Sequence, residues 1–84
     1  MRWVTVRVRL FAAAREAAGE SETAVAAGPL PQVLGAVQER YDERFGRVLE
    51  VASVLVDGTH VERGEELHVA DGSEVAILPP FSGG

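Results

Sequence analysis

The chain has 84 residues, of which 46% are hydrophobic and 25% are charged, a composition typical of one small folded domain and not of a disordered segment. Its formal net charge of -5 disfavours binding to nucleic acid or to an anionic membrane, and the absence of cysteine excludes disulfides and cysteine-based sites. Because the first residues alternate arginine with valine and do not form the apolar run of a signal peptide, we expect a cytoplasmic protein.

The chain begins with a predicted β-hairpin. From Trp3 the residues alternate between an apolar face, which includes Val6 and Val8, and an outer face that carries Arg7 and Arg9. The alanine-rich stretch "FAAAREAAG" predicts a short helical turn that ends at a left-handed glycine. The segment "ETAV" then predicts a second strand, paired with the first.

The main predicted helix begins near Pro31, a residue whose fixed φ suits the first helical position. No Ser, Thr, Asp or Asn caps its start, and we expect Gly35, inside the helix, to allow close packing on a sheet. Its apolar residues recur at spacings of three and four, which predicts one buried face: Leu30, Val33, Leu34, Val37 and Tyr41.

Two tight turns organise the second half of the chain. Asp57-Gly58 predicts a hairpin between strands at residues 52–56 and 59–61. Asp71-Gly72 precedes the run from Val75 to Leu78, which predicts a strand buried on both faces and placed beside the first strand in the centre of the sheet. The predicted fold class is therefore α+β, a ubiquitin-like β-grasp with a mixed four- to five-stranded sheet packed against one main helix.

The chain closes on "LPPFSGG". Because Pro79 and Pro80 cannot donate to a sheet ladder, we expect a domain over residues 1–78 and a tail over residues 79–84, which spans at most roughly 20 Å when extended. A tip with almost no side chains would pass through a narrow channel and present the α-carboxylate of Gly84 to a partner's active site. Since a free carboxylate is a poor acyl donor, adenylation by ATP followed by attack of sulfide would give a thiocarboxylate.

The remaining candidates for chemistry are weak. His60 and His68 have no arrangement of ligands around them, so we predict surface histidines and no metal site. Arg7 and Arg9 form either a solvated face or a docking surface. Arg15 has an alternative explanation as a surface helix residue that pairs with Glu16 or Glu20. All eight basic residues are arginine, so no side chain offers an amine for isopeptide attachment. The domain alone is not expected to be a catalyst.

Three stretches resemble the MoaD family, the small subunits of molybdopterin synthase, within the MoaD and ThiS sulfur carriers: "VRLFAAAREAAG", "VLVDGTHV" and "DGSEVAILPPFSGG". The resemblance implies that a MoeB-type, E1-like enzyme uses ATP to adenylate Gly84, which then becomes a thiocarboxylate. It also implies insertion of the tail into a MoaE-type large subunit, in a heterotetramer, and delivery of sulfur to cyclic pyranopterin monophosphate during molybdenum cofactor biosynthesis. No cofactor would be bound permanently.

By the same resemblance, Gly83 and Gly84 form the functional end of the tail, and Pro80, Phe81 and Ser82 are inserted with it. Partner contacts are expected at the positions that match the family near the root of the tail: Phe11, Arg15 and Leu78. Phe81 departs from the smaller aliphatic residue that is common in the family.

Three alternatives stay open at this point. One is a sulfur carrier for another pathway, such as thiamin thiazole, cysteine or tRNA thiolation. Another is a ubiquitin-like modifier that is joined through Gly84 to lysines of target proteins. The third is a ubiquitin-like binding module whose tail has no function.

Overall fold

A computed structural model describes residues 4–80 of the chain. Its ten helices and strands follow one another in this order: β1 (Thr5–Leu10), α1 (Ala12–Ala18), β2 (Glu22–Ala26), β3 (Gly28–Pro29), α2 (Leu30–Glu39), α3 (Glu43–Val51), β4 (Ser53–Val56), β5 (Thr59–Val61), β6 (His68–Val69) and β7 (Glu74–Leu78). No helix within these residues combines the length and the apolarity that crossing a membrane requires.

Five of the strands form a mixed sheet in the order β2-β1-β7-β4-β5. The last strand, β7, pairs in parallel with β1 and antiparallel with β4, so it lies in the centre of the sheet as predicted. The hairpins β1–β2 and β4–β5 are antiparallel, also as predicted. The β-grasp class is confirmed, and a separate two-stranded sheet of β3 and β6 is an addition that the sequence patterns did not indicate.

The hydrophobic core lies between one face of this sheet and the helices. Alternate residues of β1 and β7 point into it, including Val8 and Ile77, each with no exposed surface. The prediction that β7 is buried on both faces is wrong, because Ala76 and Leu78 are only half-buried. The strand therefore alternates between buried and half-buried residues.

Helix α2 differs from its prediction in two details. It begins at Leu30, one residue before Pro31, and it ends before Tyr41, which lies in the connection to α3. Its start has no side-chain cap, as expected. Gly35 is exposed, and apart from its chain neighbours and the backbone of its own helix no atom lies within 4 Å of the place where a Cβ would stand, so the expectation that it allows close packing is wrong.

Helix α3 was not predicted, and the fold therefore has two helices of similar length where one main helix was expected. The Asp42 side chain caps it by accepting a hydrogen bond from the Phe45 amide at 3.2 Å. Phe45 has no exposed surface, and its ring packs against that of Tyr41 with centroids 4.7 Å apart. The helix thus supplies the largest fully buried side chain among the described residues.

The tight turns lie where the sequence predicted them. Gly19, with a φ of 80°, ends α1 in the left-handed conformation. Asp57 and Gly58 both have positive φ, 48° and 83°, as a type I′ hairpin turn requires. The Asp57 amide donates to the Glu74 carbonyl and the Glu74 amide donates to the Asp57 carboxylate, which fixes this turn to the start of β7.

Candidate functional site

The predicted tail begins directly after the end of β7. Because β1 and β7 are parallel, both reach the same edge of the sheet, where the Phe11 amide donates to the Ile77 carbonyl at 3.2 Å. On the other side of β7, Ser53 at the start of β4 is the register partner of Leu78. The sheet therefore brings Phe11, Leu78 and Ser53 side by side at the root of the tail.

A second row of side chains lies one step further into the outer face of the sheet. Ala76 is paired with Arg9 on one side and with Leu55 on the other, and Leu55 is paired in turn with His60 on β5. Period-two alternation puts this row on the same face as Phe11 and Leu78. Cross-strand register, and not closeness in sequence, assembles this surface.

Together these residues form an open groove of about 750 Å³, here named the tail-root groove. Its lining is mostly apolar, with one arginine and one histidine: Phe11, Ala12, Arg15, Ser53, Leu55, His60, Leu78, Pro79 and Pro80. The three residues predicted to contact partners, Phe11, Arg15 and Leu78, all belong to it. An apolar hollow with an arginine in its lining suits the docking of an apolar side chain from another protein.

The geometry of Phe11 explains its position in the groove. It is the N-cap residue of α1 with extended backbone angles, so its ring lies off the helix and stays half-buried. The Arg9 guanidinium lies 5.4 Å from the centre of the ring, a cation–π contact that holds the ring against the sheet. The next residue, Ala12, has a φ of 50°, a conformation that costs a residue with a side chain about 1–3 kcal/mol.

A second hollow lies beside the root of the tail, on the helical side of the domain. This hollow, the α3 groove, has a volume of about 330 Å³ and is lined by Ala13, Arg44, Arg47, Val48, Val51, Pro79 and Pro80. Pro79 and Pro80 thus border both grooves. The sequence patterns did not predict this hollow, because they did not predict α3.

Arg15 is not held by either of the glutamates near it. Within residues 4–80 it forms no ion pair, whereas the Glu20 carboxylate accepts a hydrogen bond from the Tyr41 hydroxyl. Partial burial, followed by this hydrogen bond, raises the pKa of Tyr41 above its ordinary value. Arg15 is an exposed helix residue, as that alternative expected, but its expected pairing with a glutamate is wrong, and its guanidinium is accessible to a partner.

The remaining predicted residues are placed as follows. Arg7 lies on the exposed outer face, 3.9 Å from Glu74, an ion pair too exposed to contribute much. His60 lines the tail-root groove, while His68 belongs to the separate β3–β6 sheet. Pro80 is exposed and is the last described residue, and the predictions for Phe81, Ser82, Gly83 and Gly84 lie outside the described residues.

The tail-root groove also contains two residues for which the sequence predicted no partner contact, Leu55 and His60. Alternation along the predicted hairpin would have put Leu55 on the outer face. Its closeness to Leu78 depends on the pairing of β4 with β7, which the residues alone do not specify.

Solved structures with the same fold come from archaea and bacteria. The chain is similar to SAMP1 from Haloferax volcanii, with a TM-score of 0.79 and 28% identity, over 95% of this chain and 99% of that chain. It is equally similar in sequence, at 28%, to small archaeal modifier protein 1 from Methanosarcina acetivorans, with a TM-score of 0.76 and complete coverage of both chains. A complex of subunits 1 and 2 of molybdopterin-converting factor from Helicobacter pylori contains the same fold, with a TM-score of 0.69 and 23% identity over 95% of this chain and 99% of that chain.

The family comparison covers most of the chain. No match was found among curated proteins. The model of the ThiS family, in contrast, matches residues 8–84, which include the five-stranded sheet from Val8 onward, the residues of both grooves and the Gly-Gly segment. The chain therefore belongs to the ThiS family of ubiquitin-like sulfur carriers.

Proposed function

We propose that this chain carries sulfur on Gly84 as the small subunit of a molybdopterin synthase. The observation that carries the proposal is the match to the ThiS family, which continues through Gly83 and Gly84. The resemblance to MoaD proteins in the first strand and helix, around Asp57-Gly58 and in the Pro-Pro segment supports the choice of pathway.

The proposed chemistry takes place at the α-carboxylate of Gly84. The carboxylate attacks the α-phosphorus of ATP on an activating enzyme of the MoeB type, pyrophosphate leaves, and an acyl-adenylate forms. A sulfide equivalent then attacks the carbonyl carbon and AMP leaves, so that one oxygen of the carboxylate has been replaced by sulfur. Transfer of that sulfur to cyclic pyranopterin monophosphate, in two rounds, would build the dithiolene of molybdopterin.

In this proposal the folded domain positions the start of the tail for the chemistry at Gly84. Strand β7 is held on both edges, by β1 and by β4, so the tail starts from a fixed point. Pro79 and Pro80 limit the directions that the chain takes from there. The apolar tail-root groove beside them would receive a side chain of whichever protein accepts the tail.

Two partners follow from this proposal. The MoeB-type enzyme would activate the chain, and a MoaE-type large subunit would accept the tail in a heterotetramer. The Helicobacter pylori structure that contains this fold is a complex of subunits 1 and 2 of molybdopterin-converting factor, which is consistent with a large-subunit partner here.

The test is an intact mass of the chain after incubation with ATP, a MoeB-type enzyme and a sulfide source. We expect a mass gain equal to the exchange of one oxygen for sulfur. A variant that lacks Gly84 should show no gain, while Gly35→Ala, which removes an exposed glycine of α2, should react like the wild type. An unchanged mass with several cognate activating enzymes would reject the carrier chemistry.

A second candidate function is protein modification, favoured by the 28% identity to two small archaeal modifier proteins over nearly the whole chain. In this case the activated carboxyl of Gly84 would form an isopeptide bond with a lysine amine of a target. Because the chain contains no lysine, it would not form lysine-linked polymers of itself. Conjugates in a lysate that disappear when Gly84 is deleted would support this function, and thiocarboxylate without conjugates would support the carrier.

A further inference from the structure

The α3 groove presents a stripe of side chains that the proposed chemistry does not use. Arg44, Arg47, Val48 and Val51 recur along α3 at spacings of three and four, so they lie on one face of the helix. Val51 is 66% exposed, the most exposed large hydrophobic side chain among residues 4–80. A single exposed valine is common on protein surfaces, so the stripe is distinguished by the two arginines that lie beside Val48 and Val51.

The charge of this groove is opposite to that of the chain. The chain has a net charge of -5, yet the groove is lined by two arginines and no acidic residue. The acidic residues of α3, Glu43 and Glu50, line a different hollow, which Arg47 also borders. Arg44 borders only the α3 groove, and within residues 4–80 it forms no ion pair or side-chain hydrogen bond.

Pro79 and Pro80, the described residues of the predicted tail, lie between two surfaces of different character. The tail-root groove on one side is mostly apolar, and the α3 groove on the other side is basic, with Pro79 and Pro80 between them. An enzyme that draws the tail into a channel surrounds the root of the tail and meets both surfaces. Contact on one side alone leaves the domain free to turn about the tail, whereas contact on both sides fixes its orientation.

We propose that the α3 groove binds a carboxylate-bearing segment of the enzyme that adenylates Gly84. This inference rests on the proposed function, and the activating enzyme is the partner that both candidate functions share. Arginine pairs with carboxylates through parallel hydrogen bonds, and Val48 and Val51 offer apolar surface next to such pairs. Arg44 is then a positioning residue, which acts on binding and orientation and not on the reacting atoms.

The test compares two charge reversals of equal size. Arg44→Glu reverses the charge in the groove, and it should keep α3 folded because a negative side chain is favourable in the first turn of a helix. Arg40→Glu is the matched control, because Arg40 is exposed at the end of α2 and lines none of the hollows described above. Val51→Asp is a second variant, at an exposed position, and tests the apolar part of the groove.

Two measurements apply to every variant of the full chain. Calorimetry gives the Kd for a MoeB-type enzyme, and pyrophosphate release with the chain as the varied substrate gives KM and kcat. For Arg44→Glu we expect Kd and KM to rise about tenfold, which corresponds to about 1.4 kcal/mol, with kcat unchanged. Arg40→Glu should stay within about twofold of the wild type, and added salt should weaken wild-type binding more than that of Arg44→Glu.

Each other outcome has a definite meaning. Equal Kd values for Arg44→Glu and Arg40→Glu would overturn the inference, as would a wild-type chain that does not bind the enzyme. If the wild type binds but is not adenylated, the proposed function fails, while the Kd comparison still decides the role of the groove. Sedimentation that shows dimers of the wild type and monomers of Arg44→Glu would assign the groove to a second copy of the chain and overturn the inference.

Discussion

Asp42 should have a larger effect on stability than its exposed position suggests. Its carboxylate accepts a hydrogen bond from the Phe45 amide at 3.2 Å, and α1 and α2, the other described helices, have no side-chain cap. Helix α3, which begins after Asp42, places Phe45 in the core and places Arg44 and Arg47 in the lining of the α3 groove. Asp42→Ala therefore removes the capping interaction of the helix that connects the core to the α3 groove.

The expected magnitude follows from two contributions. Replacement of an aspartate cap by alanine typically costs about 1 kcal/mol, within a range of about 0.5–2 kcal/mol. Loss of a negative charge at an exposed helix N-terminus adds about 0.3–1 kcal/mol, although Glu43 keeps one negative charge in the first turn. For a domain of this size, a loss of about 1 kcal/mol lowers Tm by about 4–8 °C.

Urea unfolding followed by far-ultraviolet circular dichroism would measure the effect. Asp42→Ala should lower the free energy of unfolding by about 1–2 kcal/mol without changing the slope of the transition. Asp42→Asn keeps an oxygen acceptor for the Phe45 amide and removes only the charge, so it should lose less than half as much. Equal losses in the two variants would show that the hydrogen bond is not the cause, and would refute this reasoning.

Two further predictions concern α2 and Tyr41. Gly35→Ala should raise the free energy of unfolding by about 0.5–1 kcal/mol, because Gly35 is exposed inside a helix with room for a methyl group; a lower Tm than that of the wild type would contradict this. Tyr41 is the only tyrosine, so a pH titration followed by tyrosinate absorbance reports on it alone. In the folded chain the midpoint of this titration should lie above the ordinary pKa of 10.0, and in urea it should lie near that value. Because the folded pKa lies above the unfolded one, the contribution of Tyr41 to stability is present below that ordinary value and is lost as pH rises through the raised pKa. Tyr41→Phe should remove this dependence, and a native midpoint at or below the ordinary value would contradict the raised pKa.

Structural features that depend only on residues close together in the sequence could be predicted from it. The alternation along β1 and the Asp57-Gly58 turn are local signals, and both correspond to the structure. The central place of β7 followed from its apolar run together with the rules of β-grasp connection. Its half-buried outer face could not be predicted, since burial there depends on whether another element covers the sheet.

The sequence of α3 contains a weak helix signal. Asp42 stands three residues before Phe45, as a capping residue does, and Leu49 follows Phe45 at a helical spacing of four. Many charged residues and Gly46 lie between these positions and obscure the apolar face. The α3 groove depends on how this helix packs beside the tail, and so it could be described only with the structure.

The candidate site was predicted unevenly. The resemblance to a family indicated Phe11, Arg15 and Leu78, and the structure places all three in one groove. Leu55 and His60 join them through the pairing of β4 with its two neighbours, a register that no local pattern specifies. The roles of all five in partner binding remain predictions.

The position of β7 between two strands determines how the domain responds to force. A partner that pulls the tail along its axis pulls β7 along its own length, while the hydrogen bonds to β1 and β4 run across that direction. The hydrogen bonds between β7 and each neighbouring strand are then loaded in shear. They share the force, because a pull along the strand does not open them one after another from an end. If a partner draws the tail into a channel, as the proposed function requires, this arrangement would let the folded sheet stop the movement at Pro79.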